Sequence, residues 1–290
     1  MKDPLFLGAC TALVTPFRNG KLNETMVEAL IDRQLEAGIH TIVLGGTTGE
    51  APTLSDAEKL RLYFLGKKRM ETGITICGTG SNDTTHAIAL SQAAEDAGAD
   101  ALLVVSPYYN KANEQGIINH FTAIASAVHI PIILYNVPGR TGLDIPVGVY
   151  KELANIPNIA GVKEAAADIR KILQIRSACP EDFFIWSGND DMIVPMMALG
   201  AVGVISVASN VTPEEVRDLA LAALAGDYDT AAALQIYLKP LTDILFQEVN
   251  PIPVKEAMAV IGYDCGPCRL PLGAMTDENR KRLEKVLSSL

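Results

Sequence analysis

The chain has 290 residues, 49% of them hydrophobic, with 24 Lys and Arg against 34 Asp and Glu and a formal net charge of -10. That is enough apolar chain for one large core, since α/β barrels run to roughly 250 residues as single units. The acidic balance and the lack of any basic cluster argue against nucleic acid and anionic membrane as partners and leave small molecules.

The opening stretch, MKDPLFLGAC, has no apolar signal-peptide core, and no window approaches the ~18 apolar residues of a spanning helix, so a cytoplasmic chain is expected. The first strand-like run is TALVTPF from Thr11, followed by ETMVEALIDRQLEAG, where Met26, Val27, Leu30, Ile31 and Leu35 share one helical face. TIVLGG from Thr41 leads into SDAEKLRLYFLGKKRM, with Ser55 as its N-cap, and ITICGTG from Ile74 leads into TTHAIALSQAAEDAGAD, closed by Gly98. Further strand-like runs are ALLVVSP from Ala101, PIILYN from Pro131, IAGVKEA from Ile159, FFIWSGN from Phe183 and VGVISVAS from Val202. Eight strands, each followed by a helix with right-handed crossovers, predict a closed (β/α)8 TIM barrel over residues 1–227, with a doubly wound open sheet as the alternative. From Tyr228 to Leu290 the pattern is helical only, and no low-complexity linker precedes it, so residues 228–290 are expected to form a carboxy-terminal helical extension packed on the barrel.

Barrel chemistry belongs at the carboxyl ends of the strands, where the polar residues of this chain gather. Lys163 interrupts an otherwise apolar strand. Burial disfavours its ammonium, and a neutral amine attacks ketones to form a Schiff base. The competing reading is a structural ion pair with Glu164 or Glu50, because lysine is seldom fully buried without a partner. Tyr135 ends the fifth run and can move protons there; the PG turn that follows presents Arg140, whose planar fork suits a substrate carboxylate. GGTTGE, Gly45 to Glu50, offers glycines, two hydroxyls and free N–H groups as an anion cradle, without the lysine or spacing of a P-loop. GTGSND at Gly78 fails the dinucleotide pattern because Asp83 stands where a third glycine belongs. In SPYYNK, the adjacent Tyr108 and Tyr109 must point in opposite directions, one toward this pocket and the other elsewhere, for instance across a subunit interface.

Other signals are weaker. Cys10, Cys77, Cys179, Cys265 and Cys268 are odd in number and scattered, which fits reduced thiols. The CGPC core of Cys265 to Cys268 matches a thioredoxin motif but lies near the end of a barrel-length chain rather than in a small βαβ domain. His40, His86, His120 and His129 show no metal-ligand pairing, and Asp190 with Asp191 is expected to cap the next helix, so no metal is expected.

Taken in order, GGTTGE, SPYYNK, LYNVPGRTG, GVKEA and NPIPVK resemble the dihydrodipicolinate synthase (4-hydroxy-tetrahydrodipicolinate synthase) family of pyruvate-dependent class I aldolases and lyases, over essentially the whole chain. The resemblance implies a Schiff base of pyruvate on Lys163, whose enamine attacks L-aspartate 4-semialdehyde, with no cofactor because the protonated imine is the electron sink. It implies Tyr135 as general acid/base, Thr47 and Tyr109 as the other members of a proton relay, with Tyr109 entering the neighbouring subunit's site. It further implies Thr48 on the pyruvate carboxylate, Arg140 on the semialdehyde carboxylate, Gly188 and Ile205 lining the pocket, and a tetramer built as a dimer of dimers.

Two departures stand out. Ala112 and Asn113 follow PYYNK where the family has proline and threonine. A lysine feedback site would use Asn82 and Tyr108, yet His86 replaces the glutamate of inhibited members and Asp56 replaces a histidine, so weak or absent lysine inhibition is expected. The rival functions are N-acetylneuraminate lyase or a 2-keto-3-deoxy sugar acid aldolase, disfavoured by Arg140 in PGRTG, a non-catalytic ligand-binding barrel, disfavoured by the intact relay, and a thioredoxin-like role for CGPC.

Overall fold

The computed structural model describes residues 2–290. Eight parallel strands close on themselves, which excludes the open sheet: β1 (Gly8–Ala12), β2 (Thr41–Leu44), β3 (Ile74–Gly78), β4 (Ala101–Val105), β5 (Ile132–Asn136), β6 (Ile159–Glu164), β7 (Phe184–Ser187) and β8 (Gly203–Ser206). Each strand pairs with its sequence neighbours, and β1 closes the ring by pairing with both β2 and β8. The connecting helices are α1 (Glu24–Glu36), α2 (Asp56–Met70), α3 (Thr84–Asp96), α4 (Glu114–Ala127), α5 (Val147–Leu153), α6 (Ile169–Ala178), α7 (Ile193–Ala198) and α8 (Pro213–Leu224). Ser55 caps α2 in a full capping box with Glu58, while Asn23, Asp83, Asn113 and Asp168 each accept a backbone N–H at the start of α1, α3, α4 and α6, which satisfies otherwise orphaned donors.

The first strand lies earlier than its apolar run suggests. It spans Gly8–Ala12, and the stretch from Leu13 to Phe17 leaves the barrel as the first loop of its mouth, buried, with Phe17 pairing outside the barrel with Leu22. A buried loop and a buried strand have the same composition here, so apolarity alone could not separate them.

Two apolar layers result from strand alternation. One faces outward against the helices and includes Ile42, Leu134, Val162, Ile185 and Val204; the other fills the lumen and includes Cys10, Val43, Ile76, Leu103, Ile133, Tyr135, Trp186 and Ile205. The amino-terminal end of the lumen is plugged by Phe6, stacked on Trp186 at 5.2 Å between ring centroids and accepting the indole N–H on its carbonyl at 3.2 Å.

Strand β6 breaks the alternation once. Ile132 pairs with Ile159 but Ile133 pairs with Gly161, so Ala160 is an extra residue, a β-bulge that shifts the parity of the rest of the strand. With Ala160 taken into the ladder opposite Ile133, Lys163 would face the helices; with Ala160 left over, Lys163 pairs beside Tyr135 and points into the lumen, and Glu164 points outward. Only glycine fits at Gly161, since a Cβ there would sit 1.9 Å from the Phe184 carbonyl oxygen.

Beyond the barrel lie α9 (Tyr228–Leu245), α10 (Ile252–Val260) and α11 (Asp277–Leu287). Helix α9 packs along α8, and α11 packs on α9 and α10. From α10, Lys255 reaches under the barrel mouth, buried and bonded to the Thr15 carbonyl at 3.1 Å and to Glu50 at 2.8 Å.

Candidate active site

The cradle follows β2. Gly45 takes φ +62°, and Gly78 at the end of β3 approaches it so closely that a Cβ on Gly78 would lie 2.2 Å from the Gly45 carbonyl oxygen. Here glycine is required at both positions. The Thr15 hydroxyl donates to the Gly49 carbonyl at 2.7 Å, and the Tyr63 hydroxyl donates to the Gly78 carbonyl at 2.6 Å, pinning the loop from both sides. Thr47 is half-buried and faces a cavity; Thr48 is buried, its hydroxyl accepting from the Asn250 side chain at 3.0 Å. At its end Glu50, also left-handed at φ +57°, binds Lys255 through one oxygen and accepts the Arg269 N–H at 2.8 Å through the other.

Lys163 is 4% exposed, with its Nζ 4.5 Å from the centroid of the Tyr135 ring. Neither candidate partner for a structural ion pair is available. Glu50 is paired with Lys255, and Glu164 lies on the other face of β6, accepting from Asn136 at 2.8 Å, Tyr150 at 3.0 Å and the Ala166 N–H at 2.8 Å, with Lys171 3.8 Å away. Among the described residues no carboxylate lies within ion-pairing distance of Lys163. Burial raises the Glu164 carboxyl above its ordinary range, against the opposing pull of Lys171 and its hydrogen bonds. Gly188 makes room for the lysine: a Cβ there would sit 2.7 Å from Ala165 Cβ and 3.2 Å from Lys163 Cε. Ile205 lies in the lumen beside Cys10, its partner across β1 and β8, and burial raises the Cys10 thiol well above its ordinary value.

A cavity of about 560 Å³ opens over this floor, with Thr47, Tyr135, Tyr108 and Arg140 in its wall. Arg140 sits on a short helical turn, Pro138–Thr141, its guanidinium held by the Asn250 carbonyl at 3.0 Å. Tyr109 points away from the cavity, 89% exposed at φ +75°, a backbone conformation strained for a tyrosine. A bulky aromatic held out in this way cannot serve its own cavity.

The family model of the dihydrodipicolinate synthetase family matches residues 5–290. The chain belongs to that family. It is 46% identical over 288 residues to the 4-hydroxy-tetrahydrodipicolinate synthase of Acetivibrio thermocellus, covering 99% of this chain and 98% of that protein. Among solved structures it resembles dihydrodipicolinate synthase from Aquifex aeolicus, with a TM-score of 0.96, 42% identity and 98% of each chain covered. It also resembles an enzyme of the same family from Cyanidioschyzon merolae solved with lysine bound, with a TM-score of 0.96, 35% identity and 99% of each chain covered.

The structure brings Lys163, Tyr135, Thr47, Thr48, Arg140, Gly188 and Ile205 together at one end of the barrel. The sequence reading met Asn250, which touches both Thr48 and Arg140, and Lys255 only as the two ends of NPIPVK, without a role for either. Their contacts join segments 110, 202 and 205 positions apart, so no local pattern announces them.

Two expectations need correction. Asp190 does not cap α7, which begins after Met192 without a side-chain cap; instead Asp190 accepts from the Ser206 hydroxyl and from the Val207 and Ala208 N–H groups at 3.0 Å each, tying the β7 and β8 loops together. The carboxylate expected to be missing beside Asn82 and Tyr108 is present in another form. Asp56, from the start of α2, lies 2.9 Å from His86 Nε2, so acid and imidazole have changed places between the two helices. Both line the same cavity as Tyr108, and the Asn82 side chain donates to the Tyr108 carbonyl at 3.2 Å.

The CGPC segment is a wall beneath the cradle. Its Pro267 carbonyl accepts from Lys255 at 3.3 Å, and burial pushes the thiols of Cys265 and Cys268 up to about 12, the opposite of a redox-active pair. At neutral pH both should resist iodoacetamide in the folded protein, and the protein should not reduce insulin; prompt alkylation of either thiol, read by peptide mapping, would contradict this.

Proposed function

We propose that the chain is a 4-hydroxy-tetrahydrodipicolinate synthase that condenses pyruvate with L-aspartate 4-semialdehyde through a Schiff base on Lys163. The observation that carries this reading is a buried lysine that is in no ion pair and lies against the ring of Tyr135, which lines an open cavity. The Lys163 amine adds to the pyruvate ketone and expels water to form an imine. Loss of a methyl proton gives the enamine, whose carbon attacks the aldehyde; the substrate's own amine then displaces Lys163 as the ring closes.

In this reading Tyr135, adjacent to Lys163 on the paired strand, moves protons at the imine nitrogen, in a relay with Thr47 and with Tyr109 of the partner subunit. Thr48 and the cradle N–H groups hold the pyruvate carboxylate, and Arg140 receives the semialdehyde carboxylate at the entrance. The outward Tyr109 supports assembly in which each copy completes its partner's site, and a tetramer formed as a dimer of dimers is the proposed state. A barrel of residues 1–227 carries this chemistry and the extension of residues 228–290 braces it. We place the enzyme in the cytoplasm; among the described residues no helix is long and apolar enough to cross a membrane.

Turnover of pyruvate with the semialdehyde, alongside retro-aldol assays of N-acetylneuraminate and 2-keto-3-deoxy sugar acids, tests the assignment. Condensation without sugar-acid cleavage supports it, and the reverse result replaces it with the sugar-acid lyase.

The feedback site follows the same logic. Asp56 already faces His86, so an effector's ammonium must compete with an imidazole for that carboxylate. Half-inhibition by lysine is expected only at millimolar concentrations or above in a steady-state assay; submillimolar inhibition would overturn this.

A further inference from the structure

Asn250 sits between α9 and α10, outside the barrel, and is 5% exposed. Its Nδ2 donates to Thr48 Oγ1 at 3.0 Å and its backbone carbonyl accepts from Arg140 Nη2 at 3.0 Å, while its own Oδ1 finds no partner. These two contacts reach the two groups that the proposed function assigns to the two substrate carboxylates, and the inference rests on that reading.

The direction of the first bond matters. A hydroxyl has one hydrogen and two lone pairs, whereas the amide NH2 can only donate. Occupied at a lone pair by Asn250, the Thr48 hydroxyl keeps its hydrogen free, and among the described residues it has no other protein partner. In the cradle that hydrogen has one kind of acceptor to meet: the carboxylate of a bound 2-oxo acid.

We propose that Asn250 is a positioning residue that fixes the Thr48 hydroxyl as a hydrogen-bond donor toward the 2-oxo acid carboxylate, and that its side chain thereby sets the affinity for that substrate alone. The unpartnered Oδ1 supports a role other than stability. A buried acceptor without a donor is unfavourable, and an apolar side chain of similar shape would remove that cost. Arg140 is held by the backbone of the same residue, so a side-chain substitution separates the two anchors.

The test is borohydride trapping over a range of pyruvate concentrations, with steady-state kinetics, for the full-length wild type, Asn250→Leu and Asn250→Asp. For Asn250→Leu, half-saturation by pyruvate should rise about tenfold, while KM for the semialdehyde stays within about twofold. Asn250→Asp should raise it further, because an aspartate takes the Thr48 hydrogen and adds a negative charge facing an anion. In a Thr48→Val background, Asn250→Leu should have almost no additional effect, since the contact it acts through is gone. Equal movement of both substrates' constants, unchanged pyruvate half-saturation, or full additivity with Thr48→Val would each overturn the proposal while leaving the Schiff-base reading intact. Failure of the wild type itself to trap pyruvate would instead remove the reading on which it rests. If Asn250→Leu does not fold, the close isostere Asn250→Asp decides the question alone through the same split between the two substrates.

Discussion

Lys163→Met is expected to abolish the borohydride-trapped pyruvyl adduct on the protein and to lower kcat/KM by roughly three to six orders of magnitude, the range typical of removing a covalent nucleophile. The same variant is expected to melt at or above the wild-type temperature. No carboxylate forms an ion pair with this side chain, so its removal breaks none, and methionine fills nearly the same volume beside Tyr135 and Gly188. Intact-mass spectrometry after reduction, peptide mapping and a thermal melt check both halves. Retained activity would withdraw the catalytic assignment; activity lost together with a large drop in stability would mark Lys163 as a structural cation.

Lys255→Met is the counterpart, a second buried lysine for which the opposite outcome is expected. Its Nζ lies 2.8 Å from Glu50 and also donates to the carbonyls of Thr15 and Pro267, with the Phe17 ring centroid 4.5 Å away. Removing it leaves Glu50 buried without its ion-pair partner, bonded to the Arg269 N–H, at a cost of about 3–5 kcal/mol. Lys255→Met combined with Glu50→Gln should recover at least half of that loss, because the neutral amide needs no counter-ion and still accepts from Arg269. Chemical denaturation of both variants measures this directly; a Lys255→Met protein as stable as the wild type would show that the pair contributes nothing. Since Glu50 ends the cradle, activity is expected to fall in parallel with stability in the single variant.

These two lysines also show what could be read from the sequence and what could not. Lys163 stood out because it breaks an apolar β run at the mouth of a recognisable barrel, and near-continuous apolar runs made the eight strands visible. Whether it was paired was open, since both Glu164 and Glu50 were candidates; only the assembled fold shows Glu164 turned outward and Glu50 taken by Lys255. Lys255 lies in a helix that reads as an ordinary amphipathic segment, and its partner is 205 residues away. Asn250 opens NPIPVK but had no legible role for the same reason: its meaning is two hydrogen bonds to distant loops. Tyr109 was partly legible, because two adjacent tyrosines cannot face the same way, but its left-handed backbone was not.

The single extra residue in β6 has a consequence of its own. Side chains along a strand follow a two-step count, and Ala160 resets that count three positions before Lys163. Taking Ala160 into the ladder opposite Ile133 would leave the composition of the barrel unchanged, yet it would exchange the addresses of two neighbours, sending Lys163 among the helices and bringing Glu164 into the lumen. A basic floor would become an acidic one, repelling the anions that the present floor is built to receive. In this strand the sign of the site's charge is decided by whether a number is odd or even.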